Sequence, residues 1–246
     1  MRAAEFEKLR ALGETHWWFL GRKYLLRALL ESESTGREML ILDAGRGTGI
    51  AEEELGRLGT VVGIDIAQEA VAPEGSPALG LLSIASVEAA PFPDGTFDLV
   101  VALDLLEHLD DARALRELHR ICRPGARLLI TVPAYNWLWS RHDQALGHRR
   151  RYSAGDLRRR ISDAGFAVSK LSYAVTVLFP LAAGFRLVRR LFGGAGSDLF
   201  EVPRMLNSVL ALLMRVEAGL LRHLNLPFGL SVLAIGIKAQ GAETDR

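Results

Sequence analysis

A glycine-rich turn directly after a short apolar run constrains the fold of this chain more than any other stretch. The apolar run is Met39–Leu42, and the turn after it reads Asp43-Ala44-Gly45-Arg46-Gly47-Thr48-Gly49. A strand that ends in such a turn and opens into a helix near Ile50 presents backbone N–H groups to a nucleotide-like ligand. The stretch therefore predicts a strand–turn–helix unit of a parallel α/β sheet, with a ligand at the turn.

The spacing of the glycines narrows the kind of ligand. A dinucleotide-binding turn follows the pattern G-x-G-x-x-G, whereas here the third glycine comes one residue early and Ile50 stands where Gly or Ala is expected. The carboxylate of Asp43 would also repel a pyrophosphate. It would attract a ligand with a cationic amine and a sulfonium, and S-adenosylmethionine carries both.

Further motifs follow the turn in order. Val61–Asp65 is typical of the next strand, and its final acid lies 16 residues beyond Gly49. This is close to the spacing at which an acid at a strand end accepts the hydroxyls of a ribose. The stretch Pro91–Ala102 then predicts a turn and a buried strand, and Leu106-Glu107-His108-Leu109 comes after it.

Together these motifs resemble those of class I S-adenosylmethionine-dependent methyltransferases of the small-molecule type, most firmly from Leu40 to Pro133. The resemblance implies a Rossmann-like, doubly wound α/β sheet, mostly parallel with an antiparallel edge strand. It also implies that Ile66 packs beside the adenine and that Ser86 stands where the family commonly has an acid on the adenine amine. The expected cofactor-binding residues are Asp43, Gly45, Gly47, Gly49, Asp65, Ile66, Ser86, Val87, Asp104 and Arg22.

All four tryptophans fall in two aromatic segments, His16-Trp17-Trp18-Phe19 and Tyr135-Asn136-Trp137-Leu138-Trp139. Such segments suit a substrate pocket or a membrane-facing lip, and core packing is the alternative. The first segment, with Arg22 one helical turn later, resembles a recurring subgroup of these methyltransferases. We expect Arg22 to hold the carboxylate of the cofactor.

The segment after the fifth predicted strand is where we look for a general base. His142, Asp143 and His148 are the candidate catalytic residues, and Arg149–Arg151 could grip a phosphate or carboxylate. A capping and ion-pair network that positions the loop is the alternative. Methyl transfer from a sulfonium is an in-line displacement, so a base is needed only when the nucleophile holds its proton at neutral pH. Glu107 and His108 suit a structural role as well as a catalytic one.

Apolar runs and helical stretches alternate along the chain, which predicts a parallel sheet with helices on both faces. The predicted strands are Met39–Asp43, Val61–Asp65, Gly80–Ser83, Phe97–Ala102, Arg127–Val132, Phe166–Ser172 and Leu230–Ala239. The predicted helices are Ala3–Leu12, His16–Leu30, Gly49–Leu58, Gln68–Val71, Ala112–Cys122 and one from Ser153 to Gly165, followed by helical stretches near Val175–Leu191 and Met205–Leu224. We expect one domain over residues 1–246, with an N-terminal helical cap (1–32) and a helical insertion (173–229) before the last strand.

The charge is unevenly distributed, although the net charge is only +1. Residues 133–190 hold 11 basic and 3 acidic side chains, which suggests either an anionic partner or a solvated Arg-rich face. The insertion combines apolar faces with arginines, as interfacial helices do, and a lid without lipid contact is the alternative. Its longest uncharged run, Leu171–Phe185, has 15 residues and is too short to span a bilayer.

We expect a methyltransferase that uses S-adenosylmethionine and acts on a small, amphiphilic or lipid-like acceptor. The alternatives are a soluble acceptor and a catalytically silent protein that binds the cofactor and a partner. Nucleic acid is not expected, because Leu103-Asp104-Leu105-Leu106 replaces the tetrapeptide common in base methylases. The chain has no Cys/His spacing typical of a metal site, so no metal is expected. The single cysteine, Cys122, cannot form an internal disulfide, which favours a reducing cytoplasm. Contact with the inner face of the membrane is a further option.

Overall fold

A seven-stranded, mostly parallel sheet forms the centre of the protein in a computed structural model that describes residues 12–31, 37–71, 81–184 and 202–240. In chain order the strands are β1 (Met39–Ala44), β2 (Gly59–Asp65), β3 (Leu82–Ile84), β4 (Phe97–Leu103), β5 (Cys122–Pro133), β6 (Phe166–Ala174) and β7 (Ser231–Lys238). Their order across the sheet is β3-β2-β1-β4-β5-β7-β6. The predicted doubly wound sheet is confirmed.

The order of the strands reverses between β1 and β4, which are parallel neighbours. Strands β2 and β3 extend the sheet to one side of this pair, and β5 extends it to the other. A ligand crevice forms outside the carboxyl ends of the strands at such a switch point. The glycine-rich turn follows β1 and Asp104 follows β4, so both lie at this edge.

The predicted antiparallel pair is formed by β6 and β7. Strand β7 runs antiparallel to both β5 and β6 and lies between them, so β6 is the outer strand. A bulge between Val168 and Lys170 shifts the register of the outer pair. The single antiparallel strand is therefore the second strand from the edge.

Seven α-helices are described over their whole lengths. They are α1 (Trp17–Leu30), α2 (Glu52–Leu55), α3 (Gln68–Val71), α4 (Asp111–Ile121), α5 (Arg141–Ala145), α6 (Ala154–Asp163) and α7 (Arg204–Leu221). Helix α6 begins with the predicted capping box, in which Ser153 and Asp156 exchange side-chain-to-backbone hydrogen bonds. Helix α2 is shorter than the predicted Gly49–Leu58, since turns occupy the residues on either side of it.

Two apolar cores cover the two faces of the sheet, because successive strand residues point to opposite sides. In β4, Val100 and Ala102 belong to the core under α4 and α6, whereas Leu99 and Val101 belong to the core under α1 and α7. The N-terminal helix and the helix of the predicted insertion therefore share one face of the sheet. Most of the predicted helix Ala3–Leu12, and the part of Val175–Leu191 beyond residue 184, lie outside the described residues.

Helices α1 and α7 make close contact along their lengths. Gly21 of α1 lies so close to Met214 that a Cβ atom at Gly21 would be 2.7 Å from the Met214 Cε atom. At their ends, the Asn207 side chain accepts a hydrogen bond from the Trp17 N–H at 2.9 Å and donates one to the Thr15 carbonyl at 2.8 Å. Among the described helices, none has the length and apolar character needed to cross a bilayer.

Candidate functional site

The glycine-rich turn adopts a conformation that side-chain-bearing residues rarely take. Gly45, Gly47 and Gly49 have φ angles of +69°, +53° and +77°. The left-handed region is accessible to glycine at little cost, whereas an L-residue is strained there. A Cβ atom at Gly47 would meet only the Gly45 carbonyl, at 3.9 Å, so open space lies on that side of the backbone. The turn leaves room for a ligand to approach its main chain closely.

Asp65 ties the turn to the end of β2. Its Oδ2 atom accepts a hydrogen bond from the Gly47 N–H, and its Oδ1 atom accepts one from the Ala67 N–H, both at 2.9 Å. Each carboxylate oxygen can accept a second bond. The predicted ribose-binding acid therefore holds the turn in shape and keeps acceptor capacity for a ligand.

Asp43 is a buried acid at the carboxyl end of β1. Its Oδ2 atom has no hydrogen-bond partner among the described residues, and the residue is 3 % exposed. Burial, together with the nearby carboxylate of Glu52, raises the pKa of Asp43 to about 7, although Arg46 opposes this shift. A cationic ligand group at this position would restore the ionised form and give the free oxygen a partner.

Arg46 and Glu52 form a buried ion pair beneath the turn, which the sequence does not predict. Both side chains are less than a tenth exposed, and Arg46 also donates to the carbonyl of Ala70. The arginine side chain runs beneath Gly49 and Gly63, where Cβ atoms would collide with it. The absence of side chains at these two glycines leaves room for Arg46.

The predicted adenine-side residues lie on neighbouring loops. Ile66 follows β2 and is 70 % exposed, while Val87 is buried. The Ser86 hydroxyl accepts a hydrogen bond from the Glu88 N–H at 3.2 Å and caps the short 3₁₀ turn Val87–Ala89. Because the sheet places β1, β2 and β3 side by side, Asp43, Asp65 and Ser86 lie at or just beyond the ends of three adjacent strands. The residues present fit an adenosine-type cofactor with a cationic end.

Arg22 reaches across the sheet edge from α1. It forms an ion pair with Asp104, donates to the Thr131 hydroxyl at 3.2 Å, and stacks over the Trp18 ring with its central carbon 4.8 Å from the ring centroid. The Arg22 side chain is buried, while that of Asp104 is one-third exposed. The structure thus brings together two predicted cofactor-binding residues that are 82 positions apart. Asp104 has a φ angle of +49°, an unusual value for an aspartate.

Asp143 is the fully buried centre of a hydrogen-bond network in the segment after β5. It accepts bonds from the Ser140 N–H at 2.8 Å, from His148 Nδ1 at 2.9 Å, and from Arg151 Nε at 2.8 Å. Burial alone would raise the pKa of Asp143, but the bonds from His148 and Arg151 lower it below its ordinary value. The network orients His148. The side chain of His142 lies outside the described part of the chain.

Glu107 and His108 follow β4 and lie beside His148. Glu107 is completely buried, and its carboxylate has no hydrogen-bond partner among the described residues beyond its own backbone N–H. Burial and the nearby Asp104 raise the pKa of Glu107 well above its ordinary value. The rings of His108 and His148 are nearly perpendicular, with centroids 4.8 Å apart. Their positions along the chain do not predict that these residues cluster.

An aromatic cluster lies near the ends of β5 and β6, on the same edge of the sheet. Tyr135 stacks on Tyr173 with ring centroids 5.1 Å apart, and Phe179 contacts Tyr135, Trp137 and Phe228. Trp137 is 53 % exposed. By contrast, Trp17 and Trp18 are partly buried against the core under α1. Of the two predicted aromatic segments, the second is the more open.

Residues 42–130 match the profile of a family described as a methyltransferase domain. The chain is 28 % identical over 163 residues to the probable S-adenosylmethionine-dependent methyltransferase of Mycolicibacterium smegmatis, a match covering 64 % of this chain and 62 % of that relative. It is 30 % identical to the ubiquinone biosynthesis O-methyltransferase of Pseudomonas paraeruginosa over 52 % of this chain and 62 % of that relative. The chain thus spans less than two thirds of the length of these curated relatives.

Among solved structures, the chain is similar to the protein bound to the Haloferax volcanii Trm112 methyltransferase activator. The TM-score is 0.61 at 21 % identity, and the match covers 97 % of this chain and 94 % of that one. At this identity the likeness supports the fold alone. The matched domain and the similar relatives support a class I S-adenosylmethionine-dependent methyltransferase, the class that the glycine turn and its neighbouring motifs resemble.

Proposed function

We propose that this protein transfers a methyl group from S-adenosylmethionine to a small amphiphilic acceptor. The observation that carries the proposal is the buried carboxylate of Asp43, whose Oδ2 atom lacks a partner among the described residues, beside a glycine turn with open space at Gly47. A cationic amine or sulfonium would supply the missing partner. The relative named as a probable S-adenosylmethionine-dependent methyltransferase supports the same cofactor.

When bound, the cofactor supplies an electrophilic methyl group, so the protein has to align and shield the reactants. In this proposal Asp43 faces the cationic end and the loop backbone contacts the methionine part. Asp65 accepts the ribose hydroxyls, while Ile66, Ser86 and Val87 surround the adenine. In this proposal the Arg22–Asp104 pair lies between the cofactor and the acceptor.

We place Asp143 and His148 on the acceptor side of the site. Asp143 holds His148 through Nδ1, so the other ring nitrogen is the one available for chemistry. Arg149 is exposed and Arg150 is bound to Asp111 at 2.7 Å, whereas Arg151 is engaged with Asp143. An anionic group on the acceptor would therefore be met by Arg149.

An exposed apolar stripe on α7 supports an amphiphilic acceptor taken from a lipid surface. The stripe is formed by Met205, Val209, Leu212, Val216 and Leu220, each between 47 % and 85 % exposed. These residues recur at helical spacing and point away from α1. Arg204 is exposed at the start of α7, whereas Arg215 lies over the Tyr24 ring of α1 and Arg222 pairs with Glu31. An anionic bilayer surface is the partner we propose for the apolar stripe.

Isothermal titration calorimetry with S-adenosylmethionine and S-adenosylhomocysteine tests the cofactor step. We expect both compounds to bind the full chain, and binding of neither contradicts the proposal. Labelled methyl transfer to fractionated extracts tests the acceptor. Label in the lipid fraction supports an amphiphilic acceptor. Label found only in the water-soluble fraction contradicts an amphiphilic acceptor and indicates a soluble one. Cofactor binding without transfer to either fraction favours a silent binding protein.

Sedimentation with anionic phospholipid vesicles tests the membrane contact. We expect Leu212→Ser combined with Val216→Ser to lower the bound fraction several-fold. Leu81→Ser is the matched control, because Leu81 is 78 % exposed before β3 and lies outside the stripe. Equal binding by the double variant and the original chain would rule out the stripe as the contact surface.

A further inference from the structure

Glu107, His108 and His148 form a compact group of potential ligand atoms beside the proposed acceptor site. One ligand atom from each residue lies within 4.8 Å of the other two. A cation bound at about 2.1 Å from each donor needs donors roughly 3–4 Å apart. Side-chain rotations that move the donors by about 1 Å therefore close the triangle around an ion.

The unpartnered carboxylate of Glu107 points to a missing ligand. The residue is 0 % exposed, and neither oxygen has a partner among the described residues beyond its own backbone N–H. Buried polar groups in folded proteins are almost always paired, because an unpaired one loses its hydration without compensation. A positive ion between Glu107 and the two histidines would supply that partner.

Each histidine is held in the manner typical of a metal ligand. His148 is bound through Nδ1 to the carboxylate of Asp143 at 2.9 Å, and His108 is hydrogen-bonded to the Gly147 carbonyl. In metal sites, a ligating histidine donates its other ring N–H to a carboxylate or a backbone carbonyl, which fixes the ring. Asp143 is itself fixed by Arg151 and Ser140, so this outer set of bonds is already formed.

We infer that Glu107, His108 and His148 bind a divalent transition-metal cation that holds the acceptor. Two imidazoles and one carboxylate suit Zn²⁺, Mn²⁺ or Fe²⁺, and three protein ligands leave positions open for a substrate oxygen. In this arrangement His148 is a ligand, and Asp143 is a positioning residue.

This role for the cation rests on the proposed methyl transfer and narrows the acceptor to a compound with a hydroxyl group. A cation bound to the hydroxyl oxygen weakens its O–H bond, so the proton leaves to solvent. The oxygen electron pair then forms the new bond to the methyl carbon. The carbon–sulfur bond breaks, and its electron pair stays on the sulfur, which becomes a neutral thioether.

Titration with Co²⁺, followed by visible absorption, tests the site in full-length protein freed of any histidine tag and treated with a chelator. We expect one ion per chain and absorption bands shifted from those of aqueous Co²⁺. Glu107→Gln, His108→Ala and His148→Ala should each weaken binding more than about tenfold. Asp143→Asn should weaken it about tenfold to a hundredfold, the usual effect of losing such an outer bond.

His223→Ala is the matched control, because His223 is exposed just after α7 and should leave Co²⁺ binding unchanged. Circular dichroism and cofactor binding identify any variant that is misfolded. The titration of the unsubstituted chain decides the question even if every variant misfolds: absence of Co²⁺ binding there overturns the metal site. Cofactor binding in the same sample would leave the proposed methyl transfer intact.

Discussion

Arg22 of α1 and Asp104 after β4 form an ion pair that connects the N-terminal helix to the carboxyl edge of the sheet. The arginine is buried, and it is surrounded by Thr131, Ser231 and the ring of Trp18. A buried charge without its partner is costly. The pair therefore fixes the position of α1 and the conformation of the loop at Asp104.

Replacement of Arg22 by Met should destabilise the protein and weaken cofactor binding together. The methionine keeps much of the side-chain volume but leaves Asp104 without its cationic partner. We expect the free energy of unfolding to fall by about 3 kcal/mol, measured by urea denaturation. In the Arg22→Met variant, Asp104→Asn should lower the free energy of unfolding much less than it does in the original chain. Additive losses from the two substitutions would contradict an energetic coupling between Arg22 and Asp104.

Gly47→Ala should separate cofactor binding from stability. Its φ of +53° makes alanine strained by about 1–2 kcal/mol, but no atom except the Gly45 carbonyl lies near the new methyl group. The methyl group fills the space we assign to the ligand, so we expect calorimetric binding of S-adenosylhomocysteine to fall more than about tenfold.

Gly95→Ala is the control for that substitution. Gly95 has a φ of +63°, no atom lies within 4 Å of its would-be Cβ, and it occupies the turn before β4 at the opposite edge of the sheet. Gly95→Ala should lower the free energy of unfolding as much as Gly47→Ala does. The affinity of the Gly95→Ala variant for S-adenosylhomocysteine should stay unchanged. Equal loss of affinity in both variants would contradict a ligand at the glycine turn.

The raised pKa of Asp43 predicts a pH dependence of stability in the ligand-free protein. Between its ordinary pKa of 3.8 and about 7, the folded state holds a proton that the unfolded state has released. Stability should therefore fall as pH rises through this window, by up to about 1.4 kcal/mol per pH unit. Urea denaturation of the original chain and of Asp43→Asn measures the difference, and the substitution should flatten the slope.

The same carboxyl group should make cofactor binding stronger as pH rises. A cationic ligand selects the ionised form of Asp43, so affinity should increase from about pH 5.5 to 7 by up to tenfold per unit and then level off. The charged neighbours Glu52, Arg46 and Asp65 all influence this group, but only Asp43→Asn should abolish the effect. If the affinity of the Asp43→Asn variant still rises with pH, a group other than Asp43 causes the pH dependence.

Glu217→Ala should be among the most destabilising single substitutions in α7. The buried carboxylate accepts hydrogen bonds from the backbone N–H groups of Val175, Thr176 and Val177, directly after β6. Loss of a charged acceptor for three N–H groups should lower the free energy of unfolding by about 3 kcal/mol. Glu53→Ala, whose side chain is 58 % exposed in surface ion pairs, should cost less than about 1 kcal/mol.

Residues with a local signature were predictable from the sequence. Apolar runs placed β1, β2 and β4 to within a few residues, and the glycine turn was predicted directly after the first strand, where the structure has it. Helix α2 was predicted too long. Its three consecutive glutamates and Leu55 favour a longer helix, but the glycines at 56 and 59 end it early. At Gly59 a Cβ would lie 2.0 Å from the Met39 carbonyl oxygen, so only glycine fits.

Contacts that depend on the tertiary fold carried no signature in the sequence. Arg46 stands inside a glycine turn, where a charged residue is expected to face solvent, and the fold instead buries it against Glu52. Glu107 and His148 are separated by some 40 positions in the chain. They meet because Glu107 follows β4, His148 follows α5, and both lie at the same edge of the sheet. Sequence spacing detects metal ligands only when they lie close together in the chain.

The placement of β7 between β5 and β6 has a consequence for how the polypeptide folds as it is synthesised. Neither neighbour can pair with the other, so the β5 edge stays open until the residues up to Lys238 have left the ribosome. An open strand edge is a template for wrong pairing. In a nascent chain stalled before Ser231, the edge of β5 is therefore exposed. We expect chaperones to bind such a chain even when β1–β5 have already folded.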